Sequence, residues 1–343
     1  MIKKLLYIGN KLSEKGFPPT TIDTLGVQLA EFSQVHAVSD KRNVILRLLD
    51  MCISVFTHRK YDYAIIDTYS SSAFYYALCV SLCCRLVGLK YIPILHGGNL
   101  PHRIDKTPNL SRAIFKNSYI NVSPSNYLKD EFNKRGYTNI ITIHNNIALD
   151  KYTYKKRTTF RPHLLWVRSF ARTYNCTMAV EVLNLILKKY SNASLCMVGP
   201  DKDGSMKSTM DLAKKYGIAD KIKITGRLSK AEWTKLSQEY DIFISTTNFD
   251  NLPVSIIEAM ALGLPVVSTN VGGMPYLIKD KVTGYLVPKG DAKKMYDSIV
   301  KIIEDPIETM GICENAHSEI QVYSWDNVKI NWQRLLKYNQ YYS

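Results

Sequence analysis

The sequence has no C-x-x-C pair, no G-x-G-x-x-G spacing, no fixed-period repeat and no low-complexity tract. These absences argue against a zinc ribbon, a thioredoxin-type redox centre, a dinucleotide fingerprint and a solenoid. Long apolar runs are also missing. The longest, Ala73 to Leu89, is interrupted by Arg85 and falls short of a membrane-spanning helix. Acidic residues are scarce beside basic ones: 30 Asp+Glu against 45 Lys+Arg, a formal charge of +15. Residues 1–150 hold 18 basic and 11 acidic side chains and the remainder 27 and 19, so the excess forms neither tail nor stripe. With no zinc-finger, helix-turn-helix or RNP-like pattern, no nucleic-acid partner is expected. A dispersed basic surface suits an anionic membrane face or an acceptor carrying diphosphate. The seven cysteines are odd in number and sit mostly in apolar runs, which reads as reduced thiols in a cytoplasm. Met1–Gly9 has a basic flank but a short apolar run, so it reads as a first buried strand instead of a leader. The expected location is cytoplasmic, with peripheral association at the inner membrane face.

What is present is an alternation of apolar strands and amphipathic helices over 343 residues, enough for two domains. The pattern predicts an α/β protein with parallel sheets wrapped by helices. Strands are expected at Leu5–Gly9, Tyr63–Asp67, Tyr91–His96, Tyr119–Ser123 and Ile140–Ile143. A second set is expected at Leu164–Val167, Leu195–Val198, Ile222–Thr225, Ile242–Ser245 and Val266–Ser268. Helices are expected over Ile22–Ser33, Val44–Arg59, Ser71–Val87 and Asn126–Arg135, and later over Thr177–Tyr190, Met206–Tyr216, Lys230–Glu239, Pro253–Leu262 and Ala292–Ile303. The polar, basic segment Asp150–Arg161 marks a boundary. It gives an N-terminal domain of residues 1–150 and a C-terminal domain of 151–324, with a last helix from Trp325.

The densest chemistry lies in residues 248–273. Asp250 and Glu258 flank a loop-to-helix junction, with Asn251 placed to cap the helix and Pro253 suited to its first turn. Ile256, Ile257, Met260 and Ala261 give an apolar face; Gly263 stops the helix and Pro265 leads into a strand. Backbone N–H groups at a helix start form a seat for phosphate or a polar sugar. Two acids at this spacing also fit a bland reading, one a cap and the other solvated. The whole stretch, with Ala259–Met260–Ala261, Gly263–Leu264–Pro265–Val266–Val267 and Gly272–Gly273, resembles the signature of family 4 glycosyltransferases, retaining enzymes of GT-B architecture. The first glutamate of that signature is Asp250 here. The resemblance implies two Rossmann-like domains facing a cleft, with the last helix crossing back to the N-terminal domain. It implies that the donor is a nucleoside-diphosphate sugar, with Glu258 bonded to ribose and Asp250, Asn251 and Leu252 at the transferred sugar.

The resemblance extends to other residues. Arg168 follows Leu164–Val167 where the family has a Gly-Arg, with a lysine about five residues on; the two cations clamp the diphosphate. The lysine is absent and Arg172 is its candidate substitute. Gly226 and Arg227 stand where backbone contacts the base, and Asn145–Asn146–Ile147 resembles an Asn-Gly-Val element near the linker. His96, at a strand end before Gly97 and Gly98, resembles a cleft histidine near the donor sugar. A strand end is also where open α/β sheets place ligands. Gly9 and Asn10, in a loop with Gly16, Phe17, Pro18 and Pro19, correspond to a loop near donor and acceptor; Thr20 and Asp23 have capping-box spacing behind it. Asp201–Lys202–Asp203 has a metal-binding D-x-D form but reads as a turn, and no metal or other cofactor is implied. The expected reaction is sugar transfer to a glycan or lipid-linked glycan in cell-envelope polysaccharide synthesis, with His96, Asp250 and Arg168 as catalytic candidates. A nucleotide-sugar 2-epimerase and a non-enzymatic basic polyanion-binding protein are the alternatives.

Overall fold

A computed structural model describes residues 2–17 and 19–337. Pro18, part of the first loop, and residues 338–343 of the expected last helix lie outside them. The chain divides into two units: unit 1 comprises Met1–Asn145 and Trp325–Ser343, and unit 2 comprises Asn146–Ser324.

In unit 1 the chain runs β1 (Lys3–Ile8), α1 (Thr21–Leu29), β2 (Ser33–Val38), α2 (Val44–Thr57), β3 (Tyr63–Tyr69), α3 (Phe74–Val87), β4 (Tyr91–His96), α4 (Leu100–Lys106), α5 (Pro108–Phe115), β5 (Asn121–Ser123), α6 (Asn126–Lys134) and β6 (Ile140–Thr142). The strands form one parallel sheet in the order β2-β1-β3-β4-β5-β6. Strands buried on both faces need continuous apolar runs, which Leu5–Ile8 and Tyr63–Ile66 supply. β2 was not expected. Its alternation of Gln34 and His36 with smaller residues suits an edge strand, and the helix before it ends at Leu29.

Unit 2 repeats the plan with β7 (His163–Val167), α7 (Cys176–Leu187), β8 (Ser194–Val198), α8 (Ser205–Lys215), β9 (Ile222–Gly226), α9 (Lys230–Leu236), β10 (Ile242–Ser245), α10 (Val254–Ala261), β11 (Val266–Thr269), α11 (Met274–Leu277), β12 (Tyr285–Val287), α12 (Ala292–Glu304) and α13 (Pro306–Glu319). The parallel order is β12-β11-β10-β7-β8-β9. The last helix, α14 (Trp325–Lys337), returns to unit 1. There Val328, Trp332, Leu335 and Leu336 join Leu5, Tyr7 and Ile22 in one buried cluster.

The expected boundary at Asp150 needs correction. The division falls after Asn145, because Ile147 and Tyr152 pack into the core of unit 2. The basic segment read as a linker is built into that unit. The buried Arg157 guanidinium donates to the carbonyls of Leu262 (2.9 Å) and Gly263 (3.0 Å), just past the end of α10, and to that of Tyr240 (3.1 Å), ahead of β10. Arg161 Nε donates to Asp241 Oδ2 at 2.6 Å.

Candidate functional site

Strand order reverses at β7 and β10 in unit 2, and at β1 and β3 in unit 1. Open parallel sheets leave a crevice beyond the carboxyl ends of strands at such a switch point. Most of the predicted residues, Arg172 apart, lie near these two places, each within its own unit.

Arg168 follows β7. Its N–H donates to the Val198 carbonyl at 3.0 Å, which ties it to the end of β8. Gly199, at φ 150, makes that approach feasible, since a Cβ there would overlap the Arg168 carbonyl oxygen. The guanidinium lies 5.0 Å from the Tyr174 ring centroid and donates from Nη2 to Asp250 Oδ2. Burial pulls Arg168 below the ordinary arginine range, opposed by Tyr174 and Glu258. It stays a cation at any physiological pH.

Asp250 lies in the loop between β10 and α10. The expected capping by Asn251 does not occur. Pro253 occupies the N-cap position with no side-chain cap, and the Asn251 N–H donates to Asp250 Oδ1 at 2.8 Å. The double glycine explains this arrangement. The Gly273 N–H donates to the Asp250 carbonyl at 2.9 Å. A Cβ at Gly272 or Gly273 would overlap the carbonyl oxygen of Asp250 or Asn251 respectively. Contact with these glycines holds the loop open ahead of the helix, so the cap falls two residues later. Leu252 packs against the adjacent apolar core.

Glu258, on α10, is 3% exposed. A charge so buried needs partners, and it has two that the sequence reading passed over. Tyr152 Oη donates to Glu258 Oε1 at 2.6 Å, and Lys230 Nζ donates to the same oxygen. Burial and then Glu258 raise the Tyr152 phenol well above its usual range, so it stays a donor. Lys230 opens α9 directly after Ser229, whose capping box with Glu232 fixes the turn. That box was legible in Ser229-x-x-Glu232. Tyr152 carried no signal beyond being an aromatic residue inside a basic stretch. Gly226 ends β9 at φ 71, and its carbonyl accepts from the Gly199 N–H at 2.8 Å, which puts the Gly226–Arg227 turn beside the end of β8.

Arg172 takes a different place. Its N–H donates to Asp203 Oδ2 at 2.9 Å, and it lines a cavity with Asn175, Thr177, Ser205 and Ser208. Asp201 and Asp203 accept from backbone N–H groups of residues 203–205, as turn residues do. Among the described residues there is no group of three or more His, Cys, Asp or Glu side chains able to hold a metal.

In unit 1, Gly9, Asn10 and His96 converge on Asp67, at the end of β3. His96 Nε2 lies 2.8 Å from Asp67 Oδ1, and Tyr7 Oη donates to the same oxygen at 3.0 Å. Burial and then Asp67 push the Tyr7 phenol far up. Tyr69 stacks on His96 with centroids 4.6 Å apart. Asp67 Oδ2 is buried and has no partner among the described residues. A Cβ on Gly9 would fall 2.6 Å from it. Gly9, Asn10, Asp67, Tyr69 and Tyr76 line a small cavity there. Arg47 Nη1 donates to Asn10 Oδ1 at 3.2 Å. Gly97, at φ 81, turns the chain from β4 through Gly98 towards α4. Asp67 is the residue the sequence did not disclose. It sits in an apolar strand and reads as an ordinary strand end.

The chain is similar to known proteins in sequence and in fold. Residues 154–319 match the family described as "Glycosyl transferases group 1". The amylovoran biosynthesis glycosyltransferase AmsK of Erwinia amylovora is 29% identical over 110 residues, 30% of this chain and 27% of that protein. The N-acetyl-alpha-D-glucosaminyl L-malate synthase of Bacillus anthracis is 24% identical over 263 residues, 71% of this chain and 67% of that one. In fold, the chain is similar to Anabaena Alr3699/HepE solved in complex with UDP: TM-score 0.76, 16% identity, covering 98% of this chain and 100% of that one. The fold is GT-B. No helix among the described residues is long and apolar enough to cross a membrane.

Proposed function

We propose, from the membership of residues 154–319 in glycosyl transferases group 1, that the chain is a retaining glycosyltransferase of polysaccharide synthesis. It moves a sugar from a nucleoside diphosphate to a hydroxyl of a glycan or lipid-linked glycan. The observation that carries this is a set of two carboxylate–cation pairs in unit 2, Arg168 with Asp250 and Lys230 with Glu258, with Arg168 close enough to Glu258 to feel its charge. That is the inventory a nucleotide sugar requires. A buried carboxylate accepts from ribose hydroxyls, and a second orients the hexose. Cations meet the charge that gathers on the diphosphate as its bond to C1 breaks.

Preorganised cations lower that barrier without reorganising at the moment of reaction. A guanidinium carries five N–H donors, and the contact with Asp250 uses one nitrogen, Nη2. Arg168 can therefore grip phosphate while still fixing Asp250. Lys230 supplies the second cation in place of the family's lysine after Arg168. Arg172, facing another cavity, is not needed for that role. Gly226 and Arg227 offer backbone to the base. Asn251 and Leu252 contact the sugar. In unit 1, Asp67 holds His96 at a strand end with Gly9, Asn10, Gly97 and Gly98 nearby in sequence or space, and that cluster is the acceptor-side candidate. The chemistry needs no metal.

A thermal-shift panel of nucleoside diphosphates and their sugars tests the reading, and UDP is the first member to try. Glu258→Ala is expected to weaken donor binding tenfold or more, since a hydrogen bond to a charged group contributes about 1.5–3 kcal/mol. Donor affinity equal to that of the unaltered chain would refute the assignment. Turnover of UDP-N-acetylglucosamine to its 2-epimer without any acceptor would replace it with an epimerase.

A further inference from the structure

A helix on the surface of a water-soluble domain should present a polar outer face; α2 does not. Its inward side chains Arg47, Met51, Ser54 and Val55 are buried. Its outward ones are Ile45, Leu46, Leu49, Ile53 and Phe56, each between 48% and 69% exposed. No charged residue interrupts that outer stripe. α3 packs beside α2 and extends the apolar surface with Leu82 and Leu86, the latter 79% exposed. Contiguous apolar surface on this scale marks an interaction site.

The surrounding charges say what kind. Lys41 and Arg42 precede α2, and Arg59 and Lys60 follow it. Arg85 projects from α3, Lys90 lies just beyond, and all six are exposed. The acids nearby are engaged. Asp50 accepts from Ser39 Oγ, Asp40 pairs with Lys15 and Lys41, and Asp62 pairs with Lys3. An apolar stripe between basic ends matches an anionic bilayer, whose headgroups meet the cations while its acyl boundary takes the stripe. A second copy of the same face would set cation against cation. At 14 residues α2 spans roughly 21 Å at ~1.5 Å per residue, too short to cross a bilayer of roughly 30 Å. It lies in the plane.

We infer that the outer face of α2 and α3 docks this protein on membranes containing anionic lipid. The inner side of the same helix carries Arg47 to Asn10 and Met51 to the cavity beside Asp67. A docked α2 thus sets the unit 1 pocket one helix diameter from the lipid. That consequence, delivery of a lipid-borne acceptor, rests on the transferase reading; the docking does not.

Flotation of the full chain with phosphatidylglycerol–phosphatidylcholine vesicles, against pure phosphatidylcholine, tests it. The chain is expected to float with the anionic vesicles at low salt, to release as salt rises, and to ignore the neutral ones. Leu49→Glu with Ile53→Glu should lower partitioning roughly tenfold or more, since two apolar side chains no longer enter the interface. Arg59→Gln and Lys60→Gln should each lower it about fivefold. These side chains are exposed, and circular-dichroism melts that match the unaltered chain establish that the variants fold. Failure to float at low salt would overturn the inference. So would equal capture by neutral vesicles, indifference to the substitutions, or a dimer that Leu49→Glu dissolves in the absence of any vesicle binding. The thermal shift with UDP, measured on the same samples, is independent: flotation without it sinks only the transferase reading.

Discussion

Asp67 accepts two donors on one oxygen and leaves the other buried beside Gly9. The contact with Asp67 holds the ring of His96, so in the proposed reaction Asp67 acts as a positioning residue. Asp67→Asn keeps the shape and removes the charge. The expected result is a kcat lower on the order of a hundredfold, as for small misplacements of a reacting geometry. The UDP-induced thermal shift should be unchanged, because the proposed donor contacts all belong to unit 2. Unaltered kcat, or a lost thermal shift, would contradict that division of labour. Gly273 offers a second residue-level test. Gly273→Ala drives a Cβ into the Asn251 carbonyl, and the loop carrying Asp250 must move. A cost of about 1–3 kcal/mol is expected, as for other overpacked sites. It should appear as a lower melting temperature together with weaker donor binding. A variant with full stability and full affinity would show that the double glycine does not hold the loop.

At the scale of elements, His144 follows β6 with Nδ1 2.8 Å from the Pro124 carbonyl, and burial lowers its pKa below the usual 6.5. The sign follows from proton counts: below pH 6.5 the unfolded chain binds a proton that the folded unit resists. Stability is therefore complete above that pH and declines as pH falls towards the depressed folded value. His144→Gln should flatten the decline in melting temperature between about pH 7 and pH 5; an unchanged slope would exclude this histidine as its source. Elements were legible where one physical demand dominated. Tyr91–His96 and Ile242–Ser245 match their expected limits because strands buried on both faces need unbroken apolar runs. β12, three residues after a turn, is too short to carry a period, and β2 hides in the polar alternation of an edge. α4 and α5 carry a proline in their first two positions and have short, mixed faces that blur any 3.6-residue signal. In the candidate site, the Asp250–Gly273 pattern and Arg168 were readable because loop, helix and strand follow one another in sequence. Lys230 and Tyr152 reach Glu258 from 28 and 106 residues away, a proximity that only the sheet order creates.

At the scale of the molecule, two parallel sheets with separate buried cores share one chain. Ligand-induced protection from hydrogen exchange should therefore be local. UDP is expected to slow exchange in segments around Arg168, Gly226–Lys230 and Asp250–Glu258, and to leave β1, β3 and β4 as they were. Protection appearing first in unit 1 would place the nucleotide there and invert the proposed assignment. The excursion of the chain through unit 2 has a further effect. Unit 1 contains β1, yet Trp332, Leu335 and Leu336, which close over Leu5 and Tyr7, emerge from the ribosome only after all of unit 2. During synthesis the earliest-made half must wait, partly uncovered, while the later half matures. A nonsense codon between unit 2 and α14 would thus strip the cover from Leu5 and Tyr7, about three hundred residues upstream.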